Sequence, residues 1–246
     1  MNTWSILSEK PDQPLPEDNG SEASALHDRA VAQLETMLSA SYPSCTDPTF
    51  VSAYTTAARL LEQFQSTAID FHGAAVSCHR GCSRCCFHWV EDVSSFEAQI
   101  MADFIKTRIP SAAAGIRAAC LADIDHYAAV RTSARSRLAE LKSSETTPDL
   151  DTLSLASFYQ LRRPCPLLDR DGACTAYSVR PIACRIYLSF SPPKLCDPDV
   201  INEGNTHTFT FALDERGMGL FDKIDSRYGR PAADHGLRSL LAAELG

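Results

Sequence analysis

The chain is short of positive charge relative to negative. Its 23 Lys and Arg face 31 Asp and Glu among 246 residues, for a net charge of −8 and an isoelectric point of about 5.3. General nucleic-acid binding, which needs a basic face for phosphates, is not expected. No run of about 18 apolar residues occurs, so no transmembrane helix is expected either. Met1 to Lys10 shows no basic stretch followed by an apolar one. No secretory signal is therefore expected, and cytoplasmic residence follows as the default. Also missing are G-x-x-x-x-G-K-[ST], the dinucleotide fingerprint, H-E-x-x-H and G-x-S-x-G.

What the chain has in quantity is cysteine. Four of its ten cysteines lie within Cys78-His79-Arg80-Gly81-Cys82-Ser83-Arg84-Cys85-Cys86. In a reducing compartment, thiols this dense point to metal ligation and not to a disulfide framework. Hydrophobic content of 44% and charged content of 22% are ordinary for a globular protein. A normal core is available, so metal need not be the only thing holding the fold.

Apolar periodicity predicts mainly helix. Residues 1–20, with Pro11, Pro14 and Pro16, read as a disordered or loosely packed tail, and 21–246 as a single helical metal-binding domain. Leu26, Ala30, Leu34 and Met37 form one stripe. Asp47-Pro48 opens a helix to about Phe71 that places Val51, Tyr54, Ala58, Leu61 and Ala68 on one face. Ser94 with Glu97 is a capping box for a helix to Ile109 that buries Phe96, Ile100 and Phe104. Pro110 stops it, and Ser111 caps a long helix to about Lys142. Thr147-Pro148 opens a short one, Ser143–Thr147 being a loop. Two further helical patterns lie around Leu220–Tyr228 and Leu237–Leu245. His207, Phe209, Phe211 and Leu213 alternate with threonines and predict one half-buried strand. The fold class expected is an irregular, mainly α domain with two cysteine-bearing loop segments, one hairpin and one short strand.

The first cysteine arm has the spacing C-x3-C-x2-C-C. A two-residue gap, as from Cys82 to Cys85, lets a turn aim two thiolates at one metal. Gly81 suits such a turn. In extended backbone the adjacent Cys85 and Cys86 would point to opposite faces, leaving one for a second metal or the core. The second arm is Cys165, Cys174, Cys184 and Cys196. Asp171-Gly172 is a hairpin signal that draws Cys165 and Cys174 together, and Pro181 opens a helical piece carrying Cys184 and Arg185. Two four-thiol sites, or one with four thiols spare, remain open. Cys120, on an apolar helical stripe, and Cys45, in a turn without a local co-ligand, read as buried hydrophobes. His79 and His88 read as imidazoles beside the site, and a catalytic thiol is disfavoured because a ligand thiolate is quenched.

Residues 78–86 and 162–187 together carry +5, leaving −13 for the rest of the chain. Arg80, Arg84, Arg180 and Arg185 are expected to stabilise an anionic thiolate cofactor. The competing reading is that the arginines bind an anionic substrate.

Cys165-Pro-Leu-Leu, Gly172-Ala-Cys174-Thr-Ala-Tyr177 and Arg180-Pro-Ile-Ala-Cys184-Arg185-Ile-Tyr187, following the first arm, resemble the YkgJ-type cysteine-cluster family. That family is described as zinc- or iron-chelating, and its usual first arm is C-x2-C-x2-C-C. The chain departs from it in the first gap and in the long insertion between the arms. The resemblance spans about residues 76 to 200 and implies metal ligation by Cys78, Cys82, Cys85, Cys86, Cys165, Cys174, Cys184 and Cys196. Some relatives that share the motif carry a [4Fe–4S] cluster, a flagellin lysine methylase among them. C-x3-C-x2-C also matches the radical S-adenosylmethionine loop. That family has an aromatic where Arg84 stands and needs a strand–helix barrel, which this helical pattern does not supply. The expected cofactor is an iron–sulfur cluster, [4Fe–4S] ahead of Zn2+. The expected role is redox or protein-modifying, with an unidentified protein or small-molecule partner. The alternative is a zinc-stapled protein that binds a partner without catalysis.

Overall fold

The computed structural model describes residues 18–79, 81–140, 148–198, 208–232, 234 and 236–246. The described residues are mainly helical, with one two-stranded antiparallel sheet. Helices α1 (Ser21–Ser39) and α2 (Pro48–Phe71) pack side by side and bury Ala30, Leu34, Met37, Tyr54, Leu61 and Phe64 in one apolar cluster. Asp47 caps α2 by accepting from the Thr49 N–H at 2.8 Å. Pro48 costs no bond there, since a first-turn amide has no intrahelical partner. Of the expected tail, residues 1–17 lie outside the described residues. Asn19 already meets His72, and a side chain at Gly20 would collide with the Phe71 ring.

Helix α3 (Ser95–Arg108) is the wall shared by two cores. Phe96 and Ile100 enter the α1–α2 cluster, while Ala98, Met101 and Ile105 enter a second. Phe104, expected to be buried, is only half-buried and packs against the edge of the second cluster. The capping box forms, with Glu97 Oε2 accepting from the Ser94 N–H at 3.2 Å. Its other oxygen does more than cap. Glu97 Oε1 accepts from the Tyr54 hydroxyl at 2.5 Å and from the Ile182 N–H at 2.8 Å, joining α2, α3 and the second cysteine arm inside the protein.

The second core is built by α3 with α4 (Pro110–Glu140) and α8 (Leu237–Glu244), through Ile116, Cys120, Leu237, Leu240 and Leu241. Here α4 begins at Pro110 and not after a Ser111 cap. Ile109, ahead of the proline, sits at φ −135°, outside the helical region that proline disfavours for its predecessor. Leu141 and Lys142, the expected end, lie outside the described residues. So do Ser143–Thr147, and the short helix α5 (Leu150–Gln160) is capped by Asp149, which accepts from the Thr152 N–H at 2.7 Å. A third apolar group joins Trp89, Tyr127 and Phe158, with the Trp89 and Tyr127 rings stacked 4.2 Å apart.

The Asp171-Gly172 hairpin is present as an antiparallel bridge between Leu168 and Cys174. Gly172 takes φ +78°, which glycine adopts without penalty, and the turn it makes lies beside Ser83 of the first arm. Helix α6 (Ala183–Ile186) follows, then β1 (Tyr187–Ser189) and β2 (Thr208–Thr210), paired antiparallel with Leu188 opposite Phe209. The expected strand is thus shorter. His207 is outside the described residues, Phe211 makes one further bond to the Ile186 carbonyl at 2.7 Å, and the chain then leaves the sheet. Nor does burial alternate: Thr208 is buried like Phe209, because it pairs with Ser189, which sits against two thiols. Helix α7 (Glu215–Tyr228), capped by Asp214, closes the first core with Leu220, Phe221 and Ile224.

Candidate metal centre

The first arm turns twice. Gly81, at φ +93°, lets the Cys82 N–H reach the His79 carbonyl at 2.9 Å. A 3-10 turn over Arg84–Phe87 then carries Cys85 and Cys86. With three residues per turn, neighbours diverge by about 120° instead of the 180° of extended backbone. The two thiols therefore face different neighbours yet still hydrogen-bond to each other.

The second arm folds directly onto the first. The Cys165 N–H donates to the Cys86 carbonyl at 2.8 Å, and the Ser77 N–H to the Ser189 carbonyl at 2.8 Å. Ser189 holds one thiol from each arm. Its N–H donates to Cys78 Sγ at 3.2 Å, and its Oγ accepts from Cys196 Sγ at 3.2 Å. The Tyr159 hydroxyl bridges the Arg84 and Cys196 carbonyls, tying the first 3-10 turn to a second one at Pro193–Cys196.

Between the arms lies a cavity of about 140 Å³. Cys78, Cys82, Cys85, Cys184 and Cys196 line it, together with Arg84, Arg180 and Arg185. Cys86, Cys165 and Cys174 are half-buried and do not line it, the last two packing against the second core. Among the described residues no three His, Cys, Asp or Glu side chains close on one point as an ion site does; the thiols surround a space. Cys120 and Cys45 are buried in separate apolar clusters and line no part of it.

Burial pushes Cys78 and Cys174 up to about 11 and raises Cys165, Cys184 and Cys196. The hydrogen bond to Cys85 raises Cys86 and lowers Cys85. The raised thiols favour the protonated form until a cation replaces the protons, which is how a metal site couples binding to proton release. The donor set at the cavity is rich in soft sulfur, which suits zinc or iron–sulfur chemistry and not hard cations.

The arginines stand beside the thiols, but not as free charges. Arg84 pairs with Asp197 at 2.8 Å, and Arg180 and Arg185 both hold Glu62 Oε1, at 2.9 and 2.5 Å. Arg180 keeps its Nε buried with no hydrogen-bond partner among the described residues, and its guanidinium lies 4.1 Å from the centre of the Tyr177 ring. Arg80 lies outside the described residues. His79 and His88 line the cavity. His88 stacks on Tyr159 at 3.7 Å, and burial lowers its pKa to about 4, so it is neutral at pH 7.

Sequence reasoning missed the carboxylates. Glu62 comes from α2 and Asp197 from beyond the counted segments, so the excess of positive charge is smaller in space than along the chain. It also missed a buried ion network behind the site. Asp123 on α4 accepts from Arg163 Nε and, at 2.8 Å, from Arg238 Nε on α8. Arg238 further donates to the His88 carbonyl at 2.7 Å and the Arg163 carbonyl at 3.3 Å, tying both arms to the second core. A lone arginine in the apolar run Leu237-Arg238-Ser239-Leu240-Leu241 was the available signal.

No described helix is long and apolar enough to cross a membrane. No family model, curated protein or solved structure matches the chain, so the YkgJ-type resemblance rests on its quoted motifs alone.

Proposed function

We propose that this chain is a thiolate-ligated metal protein of the reducing cytoplasm, holding an iron–sulfur cluster in a redox or protein-modifying role. The observation that carries this reading is the cavity of about 140 Å³ with five thiols on its wall. About 10–15 Å³ admits a water, so the space is many times that and favours a polynuclear cluster over a single ion. When bound, such a cluster supplies one-electron chemistry or a Lewis-acidic iron. The chain's own residues do the rest. Cys78, Cys82, Cys85 and Cys196 furnish thiolates, with Cys184 on the same wall. Arg84, Arg180 and Arg185 offset their charge, and the Tyr159–His88 stack shields one side from water. A protein or small-molecule partner would approach through the cavity.

A second reading is a zinc staple with no catalytic role. The thiols packed among apolar residues, Cys165 and Cys174, favour it, since a closed structural site needs no solvent access. Purification without oxygen, followed by iron, zinc and acid-labile sulfide assays, decides between them. The iron–sulfur reading expects a coloured protein with equimolar iron and sulfide. A colourless protein with stoichiometric zinc and no sulfide would leave only the staple.

A further inference from the structure

Taking from that reading only the cavity as the point of approach, we infer that the ligand entering it carries a carboxylate, held by Arg180 and Tyr187.

Two polar groups of the cavity wall are buried without an acceptor. Arg180 Nε and the Tyr187 hydroxyl have no hydrogen-bond partner among the described residues, Thr208 lying near the phenol without completing a bond. Trp89 Nε1 is also without one there, but Trp89 lines no part of the cavity. A buried donor left unpaired costs free energy, so an acceptor from outside the chain supplies what Arg180 and Tyr187 lack. The neighbouring arginines have no such need. Arg185 donates from Nε to the Arg180 carbonyl at 2.9 Å, from Nη1 to Glu62 at 2.5 Å and from Nη2 to the Ser178 carbonyl at 3.1 Å. Arg84 is half-exposed and paired with Asp197.

Charge points the same way. Arg180 and Arg185 share one carboxylate, Glu62, through the same oxygen. No Asp or Glu among the described residues lines the cavity. One positive charge is therefore in surplus, beside the arginine whose Nε lacks an acceptor. The Tyr177 ring, 4.1 Å from the Arg180 guanidinium, holds that group in plane. Two donors and one surplus charge match the two oxygens and single charge of a carboxylate, whereas a phosphate dianion needs more of both. Cys85 and Cys184 lie within electrostatic reach of Arg180, so the charged end of the ligand would sit beside the thiols.

The test uses the full-length reduced chain at pH 7, purified without oxygen and with whatever metal it holds. Its thermal midpoint is followed as sodium acetate replaces sodium chloride at constant ionic strength. The midpoint should rise and saturate. Tyr187→Phe should weaken the acetate dependence about tenfold, the loss of one hydrogen bond. Arg180→Gln should abolish it, and Arg84→Gln should leave it unchanged. Sodium phosphate in place of acetate should give no saturating rise. No saturating rise in wild type, an equal rise in Arg180→Gln, or phosphate acting as well as acetate would overturn the inference. Tyr187→Phe removes only a hydroxyl and keeps the test readable if Arg180→Gln does not fold. Iron and zinc assays on the same sample separate the two readings. A metal-free chain that still responds to acetate would sink the metal reading alone, and a metal-loaded chain blind to acetate would sink the carboxylate alone.

Discussion

The α1–α2 core and the thiol region are held together by different forces. In the first, Ala30, Leu34, Met37, Leu61 and Phe64 interlock from helices whose apolar stripes recur at helical spacing, so stability comes from area removed from water. In the second, irregular backbone is pinned by Ser189, Tyr159, Glu62 and the Asp123–Arg238 pair, with little apolar area of its own. A core of the first kind tolerates loss of one member. A buried charge network does not, because the remaining partner is left ionised and dry.

The sharpest way to break the comparison is Asp123→Ala. It strands Arg238, which is 1% exposed, and releases the carbonyls of His88 and Arg163 indirectly. Urea denaturation should report a loss of about 3–5 kcal/mol, together with lower metal content per folded chain. Next comes Leu61→Ala in the first core, costing about 2–4 kcal/mol. Metal content per folded chain should be unchanged, which separates the two regions; equal metal loss would show that they are one unit.

Tyr127 gives a pH-dependent contrast on the site's far side. Burial pushes its phenol up to about 12 from 10.0, while its hydroxyl donates to Glu91 at 3.0 Å. The folded protein thus prefers the neutral phenol. Its contribution is full below pH 10 and is lost as pH rises from 10 to about 12. Stability measured at pH 9 and 11.5 should fall by about 2 kcal/mol less in Tyr127→Phe than in wild type. The smallest effect is expected at Asp47→Ala, which removes the α2 cap without touching the thiols; thermal unfolding should show a slightly lower midpoint and unchanged metal content.

Helix starts were legible where a side chain caps its own helix. Asp47 and the Ser94–Glu97 pair act within three residues of themselves, so local chemistry decides them. The Asp171-Gly172 turn was legible for the same reason. Pro110 and Thr147-Pro148 were misread by a residue or two, because several residues there can begin a helix and packing selects one. The centre was legible in its ingredients but not in its neighbours. The 3-10 turn at Cys85–Cys86, in place of extended backbone, changed which thiols face each other. Nothing in spacing pointed to Glu62 as the partner of Arg180 and Arg185, which lie 118 and 123 residues away.

By itself, then, the sequence determined the helical periodicity, the caps, the hairpin and the density of thiols in two arms, all of which act over a few residues. Only the tertiary structure decided that the arms meet at Ser189 and Cys86–Cys165, which thiols line the cavity, and which carboxylates answer the arginines. Those pairings join residues as far as 123 positions apart, as with Glu62 and Arg185. Electrostatic and hydrogen-bond partners are chosen by which surfaces the apolar cores bring into contact, and one local stretch of chain carries no record of that choice.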